Sequence, residues 1–526
     1  MGEPGGPADE RVYEFQNGSM SRRTPGALWT LALAGSVLST WETAAQSRRP
    51  ASRIGQETAV ARHLRDGEEF SLPLAALVDH GRILFSANWT AQDGGGRPLA
   101  KGTGEALSDR ARPLEGTRAF NRISGPDANS CQGCHNAPFG ITGGKGDVVT
   151  NTFDAAERFD FATFDRTDKR STVGAVDEQG RPVSLQTVGG ERSTPALFGA
   201  GYVEMLARQI TADLQRTRDA TQPGQTRPLL SKSISFGTLA RRADGAWDVS
   251  RVEGLPRASV VTSRPGDKPS LVLRPWNHAG TAVSLREVTN TQFNLHHGMQ
   301  SSERFGAGVD ADRDGVADEL TRADITAVSA FEATLPVPGR VIPNDPDVEK
   351  AVSIGERLFA QIRCSACHMP SLPLDHKGWI YSEPGPYNPP RNLRRGTVRV
   401  LDVDLTSALL PPPRLTPSIA DRDVVQVPAY SDFKRHDLGD AGGPFLTARL
   451  WGIANAPPYF HHGLFTTMRQ AVLAHGGEAL EQREAFRQLS APDQDALIEF
   501  LKTLQVLPPG TKDLVVDEHY KARSQP

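Results

Sequence analysis

A mainly α-helical protein with two domains, long loops and one small β-hairpin insertion is what this sequence predicts, and three observations carry the prediction. Stretches such as "VEKAVSIGERLFAQI" and "DQDALIEFLKTL" repeat apolar residues at helical spacing. Fifty Gly and 39 Pro, with only 7% aromatic residues, call for long ordered loops around those helices. All four cysteines fall in two copies of one pattern, Cys-x-x-Cys-His, the first at Cys131, Cys134 and His135 and the second at Cys364, Cys367 and His368.

With 38% hydrophobic residues, 23% charged residues and a formal net charge of −3, the chain has the balance of a soluble globular protein. It has no basic excess to recruit nucleic acid. Residues 1–48 read as a leader and signal peptide: Arg22 and Arg23 precede an apolar run from Ala27 to Leu38, followed by the small residues Ala44 and Ala45. That run is shorter than the ~20 residues of a membrane-spanning helix. The expectation is therefore export to the periplasm or medium with no membrane span after cleavage; an uncleaved anchor is the competing reading.

The order of the elements follows from patterning. "DHGRILFSANWTAQDGGG" opens the N-terminal domain, 50–340, as a helix and loop. Within it, residues 224–275 turn β-branched around "ADGAW", the signature of a hairpin insertion. Helical patterning returns at "TRADITAVSAFEATL", and the Pro-rich "LPVPGRVIPNDPD" marks a boundary. The C-terminal domain, 341–510, begins with a helix whose Val352, Gly355, Leu358, Phe359 and Ile362 share one face and deliver Cys364. Residues 511–526 are expected to fray.

The pentads carry the chemistry. Two thiols about one turn apart can both add to the vinyl groups of one haem while the adjacent imidazole reaches the iron, which is the c-type attachment pattern. A redox dithiol needs no following His, and a four-Cys zinc site would leave His135 and His368 without a role. Two covalently bound haem c groups, in two class I cytochrome c-like domains, are the expectation. The lead-in to the first pentad, broken at Gly125-Pro126, is looser than the helix before the second.

Further segments extend the pattern. "ERSTPALFGAGYVE" follows the first pentad and "ARLWGIANAPPYFHHGLFTTMRQAVLAHGG" the second. Ser193-Thr194-Pro195 and Pro458-Tyr459-Phe460-His461-His462-Gly463 stand at the places of an Asn-Thr-Pro and a Pro-Tyr-x-His-x-Gly segment. In this the chain resembles the diheme cytochrome c peroxidase superfamily, and more closely its diheme oxidoreductase branch, over roughly residues 80–505. The resemblance implies one haem with an open iron face for peroxide or oxygen and a second, closed haem that relays electrons from a small redox protein. The chain has no His from Asn136 to Asn277, so the capping histidine of family peroxidases is missing and the N-terminal haem is the candidate for the reactive iron. Trp276 stands where the family has a Trp between the haems. His296 and His297 stand where it has a catalytic Glu, suited either to proton transfer or to ligating the iron. At the second haem no Met occurs between Met369 and Met468, and His436 falls where the distal ligand is expected, giving a bis-histidine iron of lowered potential.

One motif lies apart. "DADRDGVADEL" sets Asp310, Asp312 and Asp314 at alternate positions, then Gly315, the Val316 carbonyl, and Asp318 or Glu319, a partial calcium loop whose twelfth position is Thr321. A solvated acidic turn is the alternative. The functional expectation is an exported, peroxidase-like diheme oxidoreductase. A non-catalytic electron-transfer cytochrome and a diheme oxygenase acting on an organic substrate use the same residues.

Overall fold

The computed structural model describes residues 54–95, 130–146, 149–152, 171–176, 182–184, 190–264, 266–310, 314–376, 380–390, 392–439 and 443–523. Gln56–Pro526 form one compact unit. The leader and signal peptide expected at 1–48 lie outside the described residues. Among the described residues the architecture is mixed: helices are interspersed with small sheets, none larger than three strands. This is richer in strands than the mainly helical expectation, because many Gly- and Pro-rich connections pair as short antiparallel ladders.

Two helix pairs position the pentads. In the first, α1 (Leu74–Ser86) crosses a helix far along the chain. The short α2 (Cys131–Cys134) carries the first pentad, and α3 (Ala200–Ala220) follows the Ser193-Thr194-Pro195 segment. Next come α4 (Leu285–Gln292), α5 (Arg322–Ala333), α6 (Pro346–Gln361), α7 (Met468–Ala474) and α8 (Ala491–Thr503). Helix α1 packs on α5, and α6 packs on α8.

Both crossings are made at a glycine. A Cβ on Gly81 would stand 2.0 Å from the Ala327 carbonyl oxygen, and one on Gly355 would stand 2.0 Å from that of Ala496, so only hydrogen fits. Four residues beyond each glycine an aromatic ring closes the pair. Phe85 meets Phe331 with ring centroids 5.4 Å apart, and Phe359 meets Phe500 at the same 5.4 Å. The partner helices start alike, since the Thr321 hydroxyl accepts from Asp324 N and that of Ser490 from Asp493 N. On α6, Val352, Gly355, Leu358 and Phe359 are buried on the face that the spacing predicts, each large apolar side chain contributing ~1.5–3 kcal/mol.

The strands refine two expectations. β1 (Gln225–Ser231) and β2 (Ile234–Arg241) form a hairpin whose turn is Lys232-Ser233, both at positive φ. The "ADGAW" turn instead joins β2 to the short β3 (Trp247–Asp248). Of the C-terminal tail expected to fray, residues 511–523 are docked. β4 (Gly339–Val341), inside the Pro-rich stretch, pairs antiparallel with β5 (Leu504–Gln505) and parallel with β6 (Val515–Val516). Arg523 then donates to the carbonyls of Ile342 and Pro343 and pairs with Glu349. The ladder and these bonds dock a segment that composition alone leaves free.

Candidate functional site

The first pentad is held as a single helical turn. Ser130 caps it, its hydroxyl accepting from Gly133 N at 3.0 Å. His135 closes the turn and donates from Nδ1 to the Gly144 carbonyl at 3.1 Å. Burial lowers the His135 imidazole to about 4, and His296 nearby adds to the shift, so the ring is neutral at pH 7. At the second pentad Cys364–Ala366 form a 3-10 turn, and His368 Nδ1 faces the carbonyls of Tyr430 (3.2 Å) and Ala448 (3.1 Å). Burial lowers His368 to about 4 as well, with His475 adding to it.

This donor chemistry fits a haem iron. A metal-binding histidine typically gives its second ring N–H to a carbonyl, which fixes the tautomer and leaves the other nitrogen's lone pair for the metal. Both pentad histidines do so. None of the four thiols is in a disulfide, and burial raises Cys131 and pushes Cys364 up to about 12. A redox dithiol needs the opposite shift. Nor do the four thiols converge on one metal-sized point among the described residues, as a four-Cys zinc site requires. Trp276, 3% exposed, has its indole N–H buried without an acceptor, a donor that a bound group can use.

The histidine pair lies on a π-helical turn, Phe293–His297, that ends α4 at the left-handed Gly298. His297 is 1% exposed, 5.8 Å from the Phe293 ring centroid, with Nε2 3.3 Å from Cys131 Sγ. His296 is half-buried and close enough to His135 to perturb it. The pair therefore divides: His297 packs against a thiol, and His296 faces the first proximal histidine. Trp276 lies under the Arg449 guanidinium, 5.7 Å from ring centroid to Cζ.

His436 lies between two carboxylates. Its Nε2 lies 2.9 Å from Asp432 and its Nδ1 2.8 Å from Glu478. Burial alone would lower it, but Asp432, Cys367 and Glu478 outweigh burial and push it up to about 11. A histidine that the sequence reading passes over has the better geometry. His475, at the end of α7, donates from Nδ1 to the Ala471 carbonyl at 2.8 Å, the arrangement seen at His135 and His368. Its ring centroid is 6.4 Å from that of His368 and 5.3 Å from Phe460. The available signal was "AVLAHGG", a histidine closing a short amphipathic helix just after the Pro-Tyr-x-His segment.

Residues 428–504 match the family model described as "Di-haem oxidoreductase, putative peroxidase". The likeness to that family lies in this C-terminal segment. The match takes in Asp432, His436, Arg449, His475 and α8, and the family is one of two-haem redox proteins. Among solved structures, Kuenenia stuttgartiensis hydrazine synthase pressurised with 20 bar xenon aligns over 90% of this chain and 100% of that one, at 13% identity and a TM-score of 0.34. A MauG-like protein associated with microbial copper homeostasis aligns over 61% of this chain and 90% of that one, at 16% identity and a TM-score of 0.23. No curated protein matches the chain. Among the described residues no helix is long and apolar enough to cross a membrane.

In the acidic loop, Asp312 lies outside the described residues. Asp310 accepts from the amides of Asp314 (3.2 Å) and Gly315 (3.0 Å), Asp314 from Val316 N (2.8 Å), and Asp318 from Gly308 N (2.8 Å). Glu319 is buried and accepts from Gln300 N at 2.6 Å. The loop thus draws Asp310 and Asp314 together around its own amides and turns Glu319 into the core.

Proposed function

We propose that this is an exported, peroxidase-like redox enzyme with two covalently held haems, one reacting with peroxide and the other receiving electrons from a small redox protein. The observation that carries the reading is the matched pair of clamped neutral histidines, each beside two half-buried thiols. Cys131 and Cys134 hold the first haem and Cys364 and Cys367 the second, with His135 and His368 as the proximal ligands. A haem at the first site supplies an iron that can take up peroxide and exchange electrons. With a haem bound there, the His296 imidazole would take and return a proton at a ring nitrogen, and His297 would position the turn. At the second site His475, rather than His436, would be the further ligand to a bound haem, while His436 is held between carboxylates. Trp276 lies on the route between the sites.

Calcium belongs to the reading as a structural ion at Asp310, Asp312, Asp314 and the Val316 carbonyl. The inward turn of Glu319 leaves Asp318 as the remaining side-chain ligand. Chelation should lower the melting temperature, and an unchanged melt after verified metal removal counts against the ion.

Intact mass and a pyridine haemochrome assay test the whole. Two haems are expected on the mature chain and one after Cys364→Ala with Cys367→Ala. A haem-free dithiol protein ends the reading. An oxidised spectrum with no high-spin iron makes the protein an electron carrier instead.

A further inference from the structure

The carbonyls that clamp the two proximal histidines share a feature. Gly144, which accepts from His135, is followed by Lys145, and Ala448, which accepts from His368, is followed by Arg449. Each of these cations crosses to the other half of the molecule. Lys145 Nζ donates to the carbonyls of Ala456 and Pro458, beside the Tyr459 ring, in the segment after the second pentad. Arg449 Nη2 donates to the Ala196 carbonyl at 3.0 Å, in the segment after the first pentad, where Leu197 N is bonded to Gly143 O.

Among the described residues neither cation is paired with a carboxylate. The buried arginines Arg208 and Arg286 sit against Glu204, Glu303 and Glu383. For Arg449 and Lys145, among the described residues, only carbonyl oxygens and aromatic faces serve. Burial alone lowers Lys145 to about 8 and Arg449 to about 10, with no acidic side chain opposing it. Enclosing a cation without an anion costs several kcal/mol, and a carbonyl or a ring face offsets only part of that. Two such cations on one seam indicate that anions are missing from the balance, and haem carries two carboxylates on one edge.

We infer that Lys145 and Arg449 are a crossed pair of haem-carboxylate ligands, Arg449 serving the haem of the first pentad and Lys145 that of the second. The inference rests on the two-haem reading above. A paired cation favours the reduced, less positive haem, so each residue raises the reduction potential of the haem it serves.

Spectroelectrochemical titration of the two-haem protein tests this, with intact mass confirming haem content. Arg449→Gln should lower the first haem's midpoint so that its reduced-to-oxidised ratio at fixed potential falls about tenfold, equivalent to 59 mV for one electron. Lys145→Gln should do the same at the second haem, and it carries the test where Arg449→Gln fails to retain both haems. Arg449→Lys and Lys145→Arg should recover most of the shift. Unmoved midpoints with both haems attached overturn this inference alone, and so do charge-conserving variants that fall as far as the glutamines. A wild-type protein without two haems overturns the functional reading and this inference together.

Discussion

The surroundings of the two pentads are alike on one side and unlike on the other. Gly81, Phe85, Ala327 and Phe331 frame His135 as Gly355, Phe359, Ala496 and Phe500 frame His368, down to the two 2.0 Å approaches and the two 5.4 Å ring pairs. Phe85 lies 5.9 Å from the His135 ring and Phe359 6.4 Å from that of His368. Opposite the first stands a π turn with two histidines; opposite the second, a single carbonyl-clamped His475. A shared cradle with divergent far sides is how one architecture can make one reactive and one closed site.

The largest expected effect breaks the distal contrast. His296→Ala should slow peroxide reduction by ~10²–10⁴-fold with both haems still attached, whereas His297→Ala should act mainly on stability. Stopped-flow kinetics checks this; an H296A protein that turns over faster, with a new high-spin signal, marks His296 as a closing ligand instead.

The second site gives the next effect. His475→Ala should convert the second haem from low-spin to high-spin in the oxidised spectrum, while His436→Ala should leave it low-spin. The opposite pair of spectra returns the ligand role to His436.

A third prediction concerns what the sites share. Gly81→Ala and Gly355→Ala each force a methyl group against a carbonyl, and should cost ~1–3 kcal/mol by denaturant unfolding. If the cradles are equivalent, the two losses match; a large difference between them would falsify the equivalence.

The smallest effect separates the two partner helices. Asp324 binds both His63 Nδ1 (2.8 Å) and His80 Nε2 (3.0 Å), while its counterpart Asp493 has only the Ser490 cap. Burial would raise Asp324, but His63 and His80 together hold it far below the usual carboxylate range; burial would lower His63, but Asp324 raises it. The lowered carboxylate contributes stability above its unfolded value near 4, lost as pH falls through the folded value. The raised histidine contributes stability below its unfolded value of about 6.5, lost as pH rises through the folded one. Thermal melts should show this latch strongest between about pH 4 and 6.5, and Asp324→Asn should remove a pH-dependent part on the order of 1 kcal/mol.

The sequence was legible wherever the information is local. Five residues suffice for covalent attachment and a proximal ligand, and one helical period placed Val352, Gly355, Leu358 and Phe359 on a buried face. The partner helices share a spacing that stands out only once the helix pairs are seen: Thr321, Asp324, Ala327, Phe331 and Thr334 recur at the spacing of Ser490, Asp493, Ala496, Phe500 and Thr503. Local patterning did not reach the docked tail, whose strand pairs across the chain with Arg340 and Val341. Nor did it reach the distal histidines. His436 stood out in the sequence and His475 did not, since nothing in their sequence neighbours says which ring nitrogen is tied up. Their hydrogen bonds come from Glu478, 42 residues beyond His436, and from the α7 carbonyl that clamps His475. The crossed cations follow the same logic, because Lys145 and Arg449 meet their partners more than 250 residues away. Attachment is a property of bonded neighbours. Protonation, ligation and charge balance depend on which distant groups exclude water around them, and only the tertiary fold decides that.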